Sequence, residues 1–302
     1  AATTVDYRHI KVLGSLLGTF IDENVTRIHH GSDDALLPST QTGTPDNFNA
    51  WTPALFLSYR PMKDPAFCLR AFYKKIFRMR TFNDLYYTDI GNISLKPEYT
   101  TQYDVGLLYQ KHWRHTILRS LDLKADAYYN EVTDKIIAVP KGNGQYRWMM
   151  MNIGLVKIKG IDVQAGNAWQ LSPSWKINGH VQYTYQQARD VTSSEDSYYK
   201  DQIPYTPWHS GSATVGADWR WLSLTYNFVY TGERYCQQEN IAYNHLQPWY
   251  TSDLSLIASF TGWGAKWQAT VQANNLFDQQ YDVIINYPMP GRQFFVTIQC
   301  EF

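Results

Sequence analysis

The chain has 302 residues, and its 27 Lys and Arg are balanced by 27 Asp and Glu, for a formal net charge of +0. That balance lacks the basic surplus expected of a nucleic-acid binder, and with no run of about 18 apolar residues no transmembrane helix is expected. Aromatic residues make up 16%, with 23 Tyr and 11 Trp beside 13 Phe; Tyr and Trp are the two aromatics whose polar tips suit boundaries between apolar and wet surroundings.

In chain order, the first predicted element is a strand over Val5–Asp22. Ala1 opens the chain, and no cleavage signature follows the mildly apolar stretch Leu13–Phe20, so the N-terminal part of an exported protein is expected elsewhere. A long polar connection, Glu23–Asn49, carries His29-His30 and Asp33-Asp34. Adjacent His residues bind a transition metal poorly without further ligands, and an Asp pair alone makes a weak Ca²⁺ site, so solvated loop residues are the expectation and no metal is assigned. A short connection at Arg60–Ala66 and a long one at Arg80–Glu98 follow.

Period two then dominates. Tyr99, Thr101, Tyr103, Val105, Leu107 and Tyr109 share one face, with Thr100, Gln102, Asp104 and Gln110 on the other. After a short turn at Lys111–Thr116, Leu121–Asn130 alternates Leu and Ala with Asp and Lys. A long connection is predicted over Glu131–Lys157, then a short one at Gln170–Ser174. Trp175, Ile177, Val181, Tyr183 and Tyr185 alternate with Lys176, Asn178, His180, Gln182, Thr184 and Gln186. Gln187–Trp208 reads as long, Asp218–Trp221 as short, Gly232–Trp249 as long, Phe260–Ala265 as short and Asp278–Gly291 as long. The weaker strands Leu222–Thr231, Tyr250–Phe260 and Trp267–Asn274 lie between them. The last segment places Phe294, Val296, Ile298, Cys300 and Phe302 on one face.

Strand side chains alternate between faces, so each segment has an apolar and a polar face. A soluble sandwich also alternates. Three features favour a membrane barrel: strongly polar second faces, small residues such as Ala125, Ala127, Ala165 and Ala269 on the apolar face, and long and short connections in strict alternation, as in barrels with short periplasmic turns and long outer loops. About twelve antiparallel strands are predicted, with the C-terminus periplasmic. The three cysteines, Cys68, Cys236 and Cys300, form neither a metal-ligand spacing nor a disulfide framework. No nucleophile–base arrangement, phosphate loop or framed carboxylate pair points to an enzyme, and no cofactor is implied.

Several stretches resemble the TonB-dependent outer-membrane receptors: Phe77–Tyr87, Gly91–Glu98 followed by Tyr103-Asp104-Val105-Gly106, Asn152-Ile153-Gly154 with Lys159-Gly160-Ile161-Asp162, and Asn274-Asn275-Leu276-Phe277-Asp278 with Tyr281 and Pro290-Gly291-Arg292. Arg80 stands where such receptors often have Pro. The resemblance implies an all-β, transmembrane, antiparallel up-and-down β-barrel, in which residues 1–302 form the C-terminal half of a 22-stranded barrel whose lumen is plugged. The plug and the first strands are not in this sequence, and an open sheet edge in hydrocarbon costs several kcal/mol per unsatisfied group. The expected partners are therefore a chain carrying the plug and about ten strands, the TonB energy-coupling protein acting through that plug, the lipid and lipopolysaccharide of the outer membrane, and a surface lipoprotein that captures ligand. A closed twelve-stranded barrel is the structural alternative.

The implied function is active uptake of a scarce bulky nutrient. The leading ligand is a cobalamin-type corrinoid. A ferric siderophore or haem is the runner-up, and a passive porin or a binding barrel without energy coupling is the reading from another class. Ligand contacts are expected on the long loops, at Tyr146, Arg147, Trp148 and Met149, where soft Met adjoins aromatics, and at Arg234, Tyr235, Tyr243, Tyr281, Asn286 and Tyr287. Inward residues such as Asp104, Asp122, Asp126, Asp162 and Gln182 are expected to meet lumen water or the plug.

Overall fold

The computed structural model describes residues 1–22, 25–29, 39–43, 48–62, 66–87, 90–140, 148–262 and 264–302. The chain opens on β1 (Ala2–Tyr7) and β2 (Ile10–Ile21), where the sequence had suggested a single strand over Val5–Asp22. Arg8, at φ 53°, turns the chain in two residues and sets Val5 opposite Val12. The turn lacks the Gly, Asn or Pro that usually marks one. Its only trace is a slip of phase: the apolar positions run Val5, Tyr7, then Ile10, Val12.

A side hairpin, β3 (Val25–His29) with β4 (Ser39–Gly43), precedes β5 (Phe48–Tyr59) and β6 (Phe67–Arg78). One helical turn, α1 (Phe82–Tyr86), is held by a capping box between Thr81 and Asp84. Four long strands follow: β7 (Glu98–His112), β8 (Leu118–Pro140), β9 (Trp148–Ser172) and β10 (Trp175–Asp190). The predicted long connection Glu131–Lys157 is corrected here, because β8 and β9 stay paired from Leu118↔Trp169 up to Pro140↔Trp148. Val132, Ile136, Ile137 and Val139 carry the strand onward, as β-branched residues favour the pleated backbone. The rest of the ladder is β11 (His209–Trp219), β12 (Leu222–Thr231), β15 (Trp249–Gly262), β16 (Ala265–Asn274) and β19 (Gln293–Glu301). Two small hairpins sit on its long connections, β13 (Arg234–Tyr235) with β14 (His245–Leu246) and β17 (Asp282–Ile284) with β18 (Tyr287–Pro288).

The main sheet holds thirteen strands in chain order, all antiparallel neighbours, with β1 and β19 at its open edges. One more strand than the predicted twelve follows from the Arg8 turn. Short connections at 8–9, 60–66, 113–117, 173–174, 220–221 and 263–264 lie at one end. Connections at the other end are long or are capped by extended strands. The alternation of connection lengths read from the sequence holds except between β8 and β9, where the strands themselves extend and only 141–147 join them.

Cross-strand pairing sorts the faces. Val5, Val12, Leu57, Ala71, Val105, Ala127 and Ile161 form one continuous row across seven strands, with Val5 58% and Val105 64% exposed. Apolar side chains bare to this degree along a whole sheet face mark a surface meant for a non-aqueous neighbour. Aromatics bound this face at both ends. Trp175 packs on Trp219 near the short turns, while Tyr73, Tyr103 and Tyr129 form a contiguous trio toward the other end. On β15, Phe260 and Tyr250 lie ten residues apart. At about 3.4 Å per residue and a tilt near 40°, they are separated by about 26 Å in height, which matches the apolar band of an outer-membrane barrel.

Candidate functional site

The long-connection end is a packed assembly of segments far apart in sequence. Val132, Ile153, Val156, Ile158, Ala188 and Ile203 form one buried cluster and Leu85, Leu95 and Ile136 a second, with Met150 and Tyr86 against the latter. The connection 79–97 lies on β9 through Asn92 Nδ2, which donates to Met150 O at 3.0 Å, and through Met150 N, which donates to Ile90 O at 2.9 Å. Its entry is fixed by charge: Arg78 reaches Asp84 at 3.2 Å and Glu98 at 3.8 Å, and Glu98 Oε2 accepts from Ile136 N at 3.0 Å.

Polar side chains then tie the remaining loops together. The Asn240 side chain clamps the Gln202 main chain: Gln202 N donates to Asn240 Oδ1 and Asn240 Nδ2 to Gln202 O, both at 2.9 Å. Arg234, 3% exposed, donates to Gln247 O at 3.2 Å, Asp282 O at 2.6 Å and Val283 O at 3.1 Å. Burial lowers its pKa from the ordinary guanidinium value. Its donors are spent on main chain, so Arg234 positions two loops and offers little to a ligand. Tyr205, in the left-handed region at φ 55°, donates its N–H to Tyr235 O at 2.8 Å and sets its ring 5.5 Å from Trp148. Burial, with Cys236 nearby, pushes its phenol up to about 12.

Of the residues expected to contact ligand, Trp148, Arg234 and Tyr235 are joined through Tyr205 into one cluster. Tyr281 stacks on Trp249 at 4.5 Å, and burial raises its pKa. Tyr243 and Tyr287 stand 69% and 52% exposed on separate loops. Asn286 makes the turn of the β17–β18 hairpin at φ 65°. Met149 pairs with Val139 near the tip of the long β8–β9 hairpin. Tyr146 and Arg147, like His30, Asp33 and Asp34, lie outside the described residues, as does the side chain of His29. Among the described residues no group of three His, Cys, Asp or Glu is placed to hold a metal ion. Sequence reading missed Tyr205, Gln202 and Asn240, because nothing in a loop's own residues reveals the loop it will meet.

A second polar constellation faces inward at mid-sheet. Arg70 Nε donates to Asp126 Oδ1 at 3.0 Å, Arg70 Nη2 binds the same oxygen, and Lys124 Nζ lies 3.4 Å from Asp126 Oδ2. Asp162 is the cross-strand partner of Asp126, and Asp104 that of Tyr128. One oxygen each of Asp104 and Asp162 is buried with no hydrogen-bond partner. Three carboxylates thus share two cations here. Gly106 and Gly160 make room for the cluster: a Cβ at Gly160 would fall 2.5 Å from Tyr128 Cζ and from Tyr185 O.

Residues 24–276 match the family model described as TonB dependent receptor-like, β-barrel. The chain belongs to that family. It is 28% identical over 231 residues to a vitamin B12 transporter, BtuB, of Vibrio vulnificus, an alignment covering 75% of this chain and 33% of that protein. The copper transporter OprC has the same fold at a TM-score of 0.68 and 19% identity, over 98% of this chain and 46% of that one. The ferric-catecholate import receptor Fiu of K12 E. coli also matches at 0.68, with 16% identity over 97% and 42%. This chain thus spans about a third of the curated transporter and under half of these two structures. The family's barrels are outer-membrane proteins and carry a plug, and the family consists of transporters and receptors rather than enzymes.

Proposed function

We propose that this barrel wall serves TonB-dependent uptake of a cobalamin-type corrinoid. The supporting observation is the identity to the vitamin B12 transporter along three-quarters of the chain. Fold likeness does not choose a cargo, since receptors for copper and for ferric catecholates share it equally. In this reading the long connections face outside, the short turns and the C-terminus face the periplasm, and the exposed Tyr243, Asn286 and Tyr287 and the half-buried Trp148 and Met149 meet the ligand together with Tyr146 and Arg147. Arg234, Tyr235 and Tyr281 hold the loops that present them. A surface lipoprotein that captures ligand would dock on the same rim.

The inward cluster supports the expected plug. Unpartnered oxygens at Asp104 and Asp162 are costly in a buried site, and basic groups of an inserted domain would satisfy them. Thirteen strands leave about nine for the completing polypeptide if the barrel has 22. Backbone groups at β1 and β19 would pair with those strands.

The test is equilibrium binding of cyanocobalamin to the complete receptor, run beside ferric siderophores and haem. Saturable corrinoid binding with little for the others is the expected result. Binding of a ferric siderophore without corrinoid overturns the cargo and leaves the importer. An ion-conducting lumen with no inserted domain overturns the importer and leaves a passive porin.

A further inference from the structure

Charge is distributed unevenly between the two ends of the sheet. Each of the six short connections has a Lys or Arg within two residues of it. These positions, with the end of β19 beside them, hold ten Lys and Arg against four Asp and Glu. The rest of the chain holds 17 against 23, so a chain of net charge +0 carries a surplus of six at the short-turn end and a deficit of six elsewhere. A separation of that size creates a field at the short-turn rim that attracts anions.

The geometry shows from which side an anion can approach. Lys11, Lys176 and Lys266 alternate with Val12, Ile177 and Trp267 of the outward face, so they point to the lumen side. Arg8, Arg114 and Arg220 stand exposed in the turns themselves, at the ends of the strands. Arg8 lies 5.3 Å over the Tyr7 ring and Arg220 5.4 Å over the Trp219 ring, while Arg119 Nη1 donates to Arg114 O and braces that turn. Lys11 and Lys266 have carboxylate partners, Asp6 at 4.0 Å and Glu301 at 3.4 Å, whereas Arg8, Arg114 and Arg220 have none among the described residues. Arg8, His9, Lys11 and Arg60 gather around a groove of about 440 Å³ between the first two short connections, with Asp6 as the carboxylate in its lining.

A lipid headgroup would call for cations that face outward with the apolar side chains, and these point inward or along the axis. Successive short connections are two strands apart, a pitch of about 10 Å. Cations repeated at that pitch around a rim suit a polymer that repeats its own negative charges. A single small anion would need donors converging on one point.

We propose that the short-turn rim docks the carboxylate-bearing glycan–peptide polymer of the periplasm, peptidoglycan, through Arg8, Arg60, Arg114 and Arg220. The proposal rests on the orientation given above, with short turns toward the periplasm, and is independent of the transported cargo. Arginine suits the role because its guanidinium binds a carboxylate through two parallel N–H donors.

The test sediments the complete receptor, in detergent, with purified peptidoglycan sacculi, with sacculi whose carboxylates have been amidated, and with phosphatidylglycerol vesicles. Native sacculi should carry the receptor down at about 0.1 M salt and release it at about 1 M, where the screening length falls from about 10 Å to about 3 Å. A cation beside an anionic surface contributes about fivefold, so Arg8→Gln with Arg114→Gln and Arg220→Gln should weaken sacculus binding about a hundredfold. Lys157→Gln with Lys159→Gln, on β9 toward the long-connection end, should change nothing. Equal retention on native and amidated sacculi, an outcome that needs no variant, overturns the proposal. So does retention that survives the triple substitution, or no retention at all. A matching loss of vesicle binding in the triple variant also overturns it, since that marks a lipid surface. Orientation is read separately: Arg220→Cys should react with an impermeant maleimide only after the outer membrane is permeabilised. Labelling in intact cells overturns the orientation, and with it the partner, whatever the sedimentation shows.

Discussion

The two ends of this sheet are built differently. At the short-turn end the wall is a single layer of paired strands. Apart from small residues such as Ala66, Cys68 and Ala265, little there is buried. At the long-connection end, loops fold back over extended strands and bury Leu85, Leu95, Val132, Ile136, Ile153, Val156 and Ile203. The first region relies on ladder hydrogen bonds and an apolar neighbour outside, the second on packing and polar staples like those of a soluble domain. Substitutions should therefore break the two regions by different routes.

The largest effect is expected in the wall. A Val at Gly160 would drive its Cβ into Tyr128 and the Tyr185 carbonyl, and the opposing backbone cannot move without breaking the β9–β10 ladder. Gly160→Val should cost more than about 3 kcal/mol, at the upper end of overpacking penalties. Its signature is loss of the compact, unboiled band on a denaturing gel. Gly14→Val is the control, because nothing lies within 4 Å of a Cβ there. If both variants form the compact band, single-layer packing is not what limits the wall.

Next comes the loop end. Arg234→Met removes the donor to three carbonyls, those of Gln247, Asp282 and Val283, at a cost of about 3 kcal/mol. Amide exchange in 232–248 and 275–292 should accelerate roughly a hundredfold, with the strands Tyr99–Gln110 and Trp175–Gln186 unchanged. Exchange that spreads into those strands would mean the two ends unfold as one unit.

The inward face offers a smaller perturbation. Asp126→Asn strips the carboxylate from Arg70 and Lys124. Breaking a fully buried pair costs about 3–5 kcal/mol, but the Arg70 side chain is 36% exposed, so a loss of about 1–2 kcal/mol is expected once solvent screening is counted. Thermal melts of the complete receptor should show that loss, and loop exchange should stay as it was. Faster loop exchange would connect the lumen to the rim.

Legibility in the sequence follows the same division. The wall was readable because alternation is a local consequence of the pleat: Trp175 through Gln186, or Phe294 through Ile298, carries its own face assignment. The Arg8 turn escaped because the tell-tale glycine is absent and only the phase slips. The β8–β9 extension escaped because Asp134, Lys135 and Asn152 look like loop residues, although Ile136, Ile153 and Val156 on the same two strands are buried. The rim was least readable. Arg234 looked like a ligand contact, being a cation on a loop, and only the placement of Asp282 and Gln247 shows what its donors hold. Tyr205 and Asn240 matter through partners 30 or more residues distant, and no periodicity encodes those.

The smallest expected effect separates the two regions by pH. Tyr205 has its phenol pushed up to about 12 by burial, against an ordinary value near 10. A raised tyrosine pKa means the folded loops keep a proton that the opened loops release. The stabilisation is complete below pH 10, falls as pH rises from about 10 to about 12, and is gone above that. Tyr205 is only half-buried, so the contribution is about 1–2 kcal/mol after discounting for solvent. Raising pH through this window should loosen 191–208 and 232–248, read as faster exchange or as lost Trp148 fluorescence shift. Tyr205→Phe keeps the ring against Trp148 and removes the ionisation, so its loops should hold their packing through the window. The short-turn end has no such buried loop phenol and should respond alike in both proteins. An alkaline step that survives in Tyr205→Phe would assign it instead to Tyr281 or Tyr198, whose phenols are also raised by burial.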